Sequence, residues 1–97
     1  MQNELSIFSK VEQSARADGK AEYFRLHRYR FAAMLRAIDA PKGARVLEVG
    51  VTPGHFTELL VQSGYQVSGV DLDPFTRRAL WERLGVEVRQ ANLEREP

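Results

Sequence analysis

The sequence predicts an α/β protein with a small parallel β-sheet in an α-β-α-β-α-β order, and three observations support this prediction. Helical hydrophobic periodicity runs through residues 21–38. Short valine-containing runs follow at residues 46–49, 65–72 and 86–91, as is typical of strands. Glycine or proline separates these segments, and the short links between strands and helices favour parallel strands with right-handed crossovers.

The composition fits one small domain and excludes several classes of function. The 97 residues are 43% hydrophobic and 28% charged, as in ordinary globular chains. The 14 Lys and Arg residues against 13 Asp and Glu give a net charge of +1, so no strong field favours nucleic acid or an acidic membrane as a partner. The absence of cysteine excludes disulfides, a thiolate nucleophile and cysteine-based metal sites, and we predict no bound metal.

No targeting or membrane segment is evident in the sequence. The stretch MQNELSIFSK lacks the basic leader and apolar core of a signal peptide. No run approaches the ~20 apolar residues of a membrane span. We therefore expect a soluble, cytoplasmic protein.

Residues 1–20 are predicted to form an N-terminal arm, because they are polar and weakly patterned and indicate a short helix or a partly mobile segment. From Ala21 to Ile38 apolar side chains recur at helical spacing, until Pro41–Gly43 ends the pattern. This apolar stripe consists of Phe24, His27, Phe31, Met34, Leu35 and Ile38. The helix also carries arginines that we interpret as a solvated basic face: Arg25, Arg28, Arg30 and Arg36.

Three strands and two further helices are predicted after this first helix. The strands are Val46–Val49, Tyr65–Leu72 and Val86–Ala91. The helices run from Pro53 to about Gln62 and from Pro74 to about Leu84. Gly64 and Gly85 are interpreted as their C-caps, and Asp73 as the N-cap of the second helix.

Carboxylates and glycines mark the ends of the first two strands. Glu48 lies within the first strand, and Gly50 and Gly54 lie in the turn that follows it. Asp71 ends the second strand, 21 residues after Gly50. Ligands of parallel sheets bind across the carboxyl ends of the strands, where glycine lets them approach the backbone and a helix N-terminus offers unpaired N–H groups. A glycine turn followed by an acid at this distance predicts an adenosine-containing ligand, because the acid can accept both ribose hydroxyls.

The spacing of the glycines decides which adenosine ligand is expected. The dinucleotide fingerprint G-x-G-x-x-G would need glycine at two positions where the chain has Thr52 and His55. The pattern E/D-x-G-x-G-x-G matches at Glu48, Gly50 and Gly54 and departs only at Thr52. This stretch, VLEVGVTPG, resembles the first motif of the class I S-adenosylmethionine-dependent methyltransferases. GVDLDP is similar to their second motif and VEVRQANLE to the strand that carries their third, so the resemblance covers residues 44–97.

The resemblance implies the N-terminal, cofactor-binding half of a methyltransferase domain over residues 21–97. The sheet would be a partial Rossmann-like sheet truncated after the third strand, since the family has about seven strands. The half that carries most acceptor contacts would be missing. The methyl acceptor and the catalytic residues therefore stay unidentified.

The resemblance also implies a set of cofactor-binding residues: Glu48, Gly50, Gly54, Asp71, Leu72 and Asn92. Glu48 would face the amino group of S-adenosylmethionine, and the glycine turn would hold the methionine end. Asp71 would bind the ribose hydroxyls. Leu72 would pack on the adenine ring, and Asn92 would accept a hydrogen bond from the adenine amino group.

Other interpretations of the same residues stay open. Glu48 could be a strand-end acid that a backbone amide or Arg45 satisfies, and His55 is interpreted as a surface or capping residue. The chain could be a non-catalytic truncated fragment or an S-adenosylmethionine-binding module. With weaker support, it could be a nicotinamide- or flavin-binding domain.

The predicted topology leaves one face of the sheet uncovered. Both right-handed crossovers place their helices on the same side, whereas parallel strands are normally covered on both faces. Depending on the register, the uncovered face holds Val46 or Leu47, Val67 or Val70, and Val86 or Val88. The first strand also keeps an unpaired edge. We therefore expect a homo-oligomer, a dimer formed through this face or edge or by exchange of segments, with the N-terminal arm as the element to swap.

Overall fold

A computed structural model describes residues 3–92 and 94 and shows an α/β fold with a three-stranded parallel sheet, as predicted. Its elements are α1 (Glu4–Ala17), α2 (Ala21–Ala37), β1 (Arg45–Val49), α3 (His55–Gln62), β2 (Gln66–Asp71), a 3-10 turn (Phe75–Arg77), α4 (Arg78–Leu84) and β3 (Glu87–Gln90). The strands lie in the order β1-β2-β3. A further helix, α1, precedes α2 in the segment predicted as an N-terminal arm. In the described part of the chain, no helix combines the length and apolarity needed to cross a membrane.

Helix α1 occupies most of the segment predicted as an N-terminal arm. It begins after Asn3, whose side chain accepts a hydrogen bond from the Ser6 backbone N–H at 2.9 Å. The buried residues of α1 form one narrow stripe: Ile7, Phe8, Val11 and Ala15. The Phe8 ring lies 6.0 Å from the Phe24 ring of α2, so α1 packs against its own chain. A stripe of this width in an otherwise polar helix leaves only a weak sequence pattern.

The predicted apolar stripe of α2 joins α1 and α3 into the main core. Phe24 and Phe31 are buried, and their ring centroids lie 6.0 Å apart. Phe31 also lies 5.5 Å from Phe56 of α3, and Leu59 of α3 is fully buried in the same cluster. These contacts fix α2 beside the turn that leads from β1 into α3.

The register of the sheet decides which strand residues the helices cover. The covered face carries Val46, Val67, Gly69 and Val88. Val88 packs against the buried Leu80 and Trp81 of α4. On the opposite face Leu47 and Val49 are 64% and 61% exposed, so that side of the sheet is open. We call it the open face; it consists of Arg45, Leu47, Val49, Gln66, Ser68, Val70, Glu87 and Arg89.

The helix ends agree with the predicted caps, except at the start of α4. Gly64 and Gly85 follow α3 and α4 with φ of +96° and +69°, as their predicted role requires. Asp73 Oδ1 accepts a hydrogen bond from the Phe75 backbone N–H at 3.1 Å, but the predicted role of Asp73 as the N-cap of an α-helix is wrong. The chain then makes a 3-10 turn, and the α-helix begins only at Arg78.

Candidate functional site

Two adjoining cavities flank the turn between β1 and α3 at the carboxyl edge of the sheet. The Glu48 cleft, of about 240 Å³, is lined by Tyr23, Arg30, Phe31 and Met34 of α2, by Glu48 and by residues 49–56. The Asp71 cleft, of about 310 Å³, is lined by Val49, Gly50, Val70, Asp71, Leu72, Ala91, Asn92 and Glu94. Because the clefts share Val49 and Gly50, together they fall in the range of small-molecule sites, roughly 300–1,000 Å³. A separate cavity of about 420 Å³ beside α4 is lined by none of the predicted site residues.

Glu48 is a partly buried carboxylate in the first cleft. Thr57 Oγ1 of α3 donates a hydrogen bond to Glu48 Oε1 at 2.5 Å. Burial raises the pKa of Glu48 to about 7; the Thr57 hydrogen bond opposes this shift, and the charge of Asp71 adds to it. Arg45 does not satisfy Glu48, because its side chain belongs to the open face and no ion pair joins the two. Across the described residues, Glu48 has no cationic partner.

Gly50 and Gly54 are glycines for different physical reasons. Both have a positive φ, +75° and +106°, which favours glycine. A Cβ added at Gly50 would meet nothing within 4 Å, so the space beside it is open to a ligand. A Cβ added at Gly54 would lie 2.4 Å from Leu80 Cδ2 and 2.9 Å from the Trp81 ring. At Gly54, therefore, the missing side chain lets α4 pack against the turn.

Asp71 ties the end of β2 to the glycine turn. Its Oδ2 accepts a hydrogen bond from the Thr52 backbone N–H and its Oδ1 from the Asp73 backbone N–H, both at 3.0 Å. Burial acts to raise the pKa of Asp71, but these backbone hydrogen bonds outweigh it and the pKa lies below its usual value. The Thr52 side chain and the Val51 backbone N–H also lower the pKa of Asp71, so several donors of the glycine turn act on this carboxylate.

Leu72 and Asn92 lie with Asp71 around the second cleft. The Leu72 side chain is 65% exposed there, which leaves an apolar surface free for a flat ring. Asn92 Oδ1 accepts a hydrogen bond from the Glu94 backbone N–H at 3.0 Å. The structure thus brings the six predicted residues together around two clefts, with Glu48 and Gly54 on one, Asp71, Leu72 and Asn92 on the other, and Gly50 on both.

The predicted surface position of His55 is wrong. Its side chain is 1% exposed and packs with Tyr23 and Phe24, at ring-centroid distances of 5.9 and 6.2 Å. In the part of the chain described, neither ring nitrogen has a hydrogen-bond partner, and Nε2 lies 3.8 Å from Asp18 Oδ2. Burial lowers the pKa of His55 and the charge of Arg77 lowers it further, so the ring is neutral near pH 7.

Several residues that shape the site have no local signal in the sequence. Arg77 Nε donates to the Pro53 carbonyl at 2.9 Å and its Nη2 to Asp18 Oδ2 at 2.7 Å, which joins the turn to α1. Thr57 and Arg77 have partners 9 and 24 residues away, and only tertiary structure reveals such pairs. Only the tertiary structure also shows that part of α2 lines the Glu48 cleft, because the sequence pattern assigns these residues to the core or to a solvated face.

The chemistry of these clefts suits a ligand that presents hydroxyls, a flat ring and a positive charge. No group of three or more His, Cys, Asp or Glu side chains among residues 3–92 and 94 could hold a metal ion. Comparisons with protein-family models, curated proteins and solved structures gave no match for this chain. The geometry of the two clefts is therefore the basis for a functional proposal.

Proposed function

We propose that the chain binds S-adenosylmethionine across the turn between β1 and α3, as the cofactor-binding part of a methyltransferase whose acceptor is unidentified. Glu48 carries this proposal. A partly buried acid with a pKa of about 7 and no cationic partner in the described chain is costly to keep, and the ammonium group of a ligand would offset that cost. The arrangement is then part of a Rossmann-like sheet, with the ligand at the carboxyl ends of its strands.

The two ends of the ligand would lie in different clefts, each beside its own set of site residues. The amino-acid end would lie in the Glu48 cleft, and the open space beside Gly50 would let the ligand pass into the Asp71 cleft. There the ionised Asp71 would accept hydrogen bonds from the ribose hydroxyls. Leu72 would pack on the adenine ring, and Asn92 lies on the same cleft.

The chain would contribute binding and orientation to the reaction. The bound cofactor supplies a sulfonium methyl group for in-line transfer to a nucleophile, and holding such reactants in line accounts for much of the rate of a bimolecular reaction. Glu48 and Asp71 would fix the two ends of the cofactor relative to the glycine turn. No general base is proposed.

Isothermal titration calorimetry should show S-adenosylhomocysteine binding at least about tenfold more tightly than NAD, a difference of about 1.4 kcal/mol. The reason is that NAD has no ammonium group to place beside Glu48. Tighter binding of NAD would contradict the proposal and favour the nicotinamide alternative. Binding of S-adenosylhomocysteine is expected both of the cofactor-binding part of a methyltransferase and of the non-catalytic module, so this titration separates them from the nicotinamide alternative but not from each other.

We also propose that the 97-residue chain forms a homodimer through its open face. Parallel strands are normally covered on both faces, and covering about 800 Å² per subunit is typical of a stable interface. Leu47 and Val49, the large apolar residues of β1 on this face, are more than half exposed. The edge of β1 is unpaired as well, because β1 lies at the end of the described sheet.

Light scattering should give a mass near twice 11.0 kDa for the wild type. Leu47→Lys should shift the protein towards the monomer, because a charge would lie in the interface. Leu26→Lys is the matched control, since Leu26 is 77% exposed but lies on α2, away from the open face. A stable wild-type monomer at high concentration, or equal effects of the two substitutions, would contradict association through this face.

A further inference from the structure

The arginines of α2 do not form one uniform solvated face. Three of them are paired with acids of α1. Arg25 and Arg28 each lie 4.0 Å from a carboxylate oxygen of Glu12. Arg36 lies closer to its partner, at 2.7 Å from Glu4 Oε1. Arg36 and Glu4 therefore connect α2 to α1 by hydrogen bonds, and Arg25 and Arg28 lie at the limit of ion-pair distance from Glu12.

Arg30 is different from the other three. No carboxylate among residues 3–92 and 94 lies within ion-pair distance of its guanidinium group, which instead lies over the Phe31 ring at 5.6 Å from the centroid. Arg30 also lines the Glu48 cleft. The cleft thus contains one cationic side chain and one acidic side chain, and neither forms an ion pair with another described residue.

We propose that Arg30 binds the carboxylate of the ligand's amino-acid end while Glu48 binds its ammonium group. The two charged groups of an α-amino acid are attached to the same carbon atom, so they need opposite charges on one small cleft, and Arg30 and Glu48 provide them. A guanidinium group suits this role because its planar N–H donors match the two oxygens of a carboxylate. The guanidinium group lies over the Phe31 ring, 5.6 Å from its centroid, at the edge of the same cleft.

This assignment rests on the proposed function and adds a specificity to it. The site would select ligands that carry a complete amino-acid group on the adenosine. Adenosine derivatives that keep the amine but lack the carboxylate would lose the contact with Arg30 and keep the contact with Glu48. Decarboxylated S-adenosylmethionine has this structure and is the probe that isolates the contribution of Arg30.

The test combines two ligands with two substitutions in calorimetric titrations. Arg30→Gln should weaken binding of S-adenosylmethionine about tenfold and change binding of its decarboxylated form less than about twofold. Arg28→Gln is the matched control, because Arg28 lies on the same helix but pairs with Glu12, and it should change neither affinity. Thermal unfolding of both variants checks that α2 stays folded.

The outcomes separate this assignment from the proposed function. If S-adenosylmethionine binds the wild type and Arg30→Gln does not weaken it, the role of Arg30 is wrong and the proposed function stands. An equal loss for both ligands would also overturn the role of Arg30, because the effect would not depend on the carboxylate. If the wild type binds neither ligand, both the proposed function and the role of Arg30 are wrong.

Discussion

Glu48→Gln is expected to stabilise the folded chain at pH 8 by up to about 3 kcal/mol relative to the wild type. Burial holds the pKa of Glu48 at about 7 in the folded chain, against 4.5 for a free glutamate side chain. Between these values the folded state binds more protons than the unfolded state, so wild-type stability falls as the pH rises through this window. Above pH 7 the folded wild type carries the full free-energy cost of a buried charged Glu48. Glutamine at this position has no charge and can still accept the Thr57 hydrogen bond.

Urea unfolding at pH 5 and pH 8 measures this effect. The gain in free energy of unfolding from Glu48→Gln should be larger at pH 8 than at pH 5. Glu82→Gln is the control, because Glu82 is an exposed acid on α4 and its replacement should change stability little at either pH. A gain of the same size at both values would show that Glu48 does not titrate near neutrality.

The same substitution should weaken ligand binding while it stabilises the fold. An ammonium group is held by the ionised form of Glu48, so the wild-type affinity for S-adenosylhomocysteine should rise as the pH passes through about 7. Glu48→Gln should bind about tenfold more weakly at pH 8 and should lack this rise. Opposite effects on stability and binding are expected of a charge retained for a ligand, whereas a purely structural acid would not weaken binding when replaced.

The sequence predicted those parts of this fold that depend on local chemistry. Gly64 and Gly85 were recognised because a helix end with positive φ favours glycine whatever surrounds it. The hydrophobic pattern of the sequence predicted the strands. The topology of a parallel sheet predicted that Glu48 and Asp71 lie near each other, because the carboxyl ends of neighbouring strands meet at one edge. By contrast, the burial of His55 depends on Tyr23 and Phe24, which come from a different helix.

The same limit explains why the packing of α1 and the ion pairs of α2 could not be predicted from the sequence. The buried stripe of α1 is too narrow to stand out in a polar segment, and its partners lie on α2 and α3. Arg30 looks like its neighbours in the sequence, and only the three-dimensional structure shows that Arg28 lies 4.0 Å from Glu12 whereas Arg30 lies over the Phe31 ring. Contacts between residues far apart in the sequence determine these features, and a local sequence pattern does not predict such contacts.

Gly54→Ala is expected to destabilise the chain by about 3 kcal/mol or more, a large fraction of the roughly 5–15 kcal/mol that stabilises a small domain. The new Cβ would lie 2.4 Å from Leu80 Cδ2 and 2.9 Å from the Trp81 ring, and overpacking of this kind costs about 1–3 kcal/mol. The positive φ adds about 1–2 kcal/mol for a residue with a side chain. Urea unfolding should therefore show a much lower midpoint than that of the wild type.

Gly50→Ala should have the opposite profile, because its Cβ would meet no protein atom but would enter the space where the two clefts join. We expect a loss of about 1–2 kcal/mol in stability and about a tenfold weaker binding of S-adenosylhomocysteine. Gly43→Ala is the matched control: Gly43 has a φ of +87° and open space around it, but it lies on neither cleft. It should show the same loss of stability with unchanged affinity, so equal affinities for Gly50→Ala and Gly43→Ala would mean that the ligand does not pass beside Gly50.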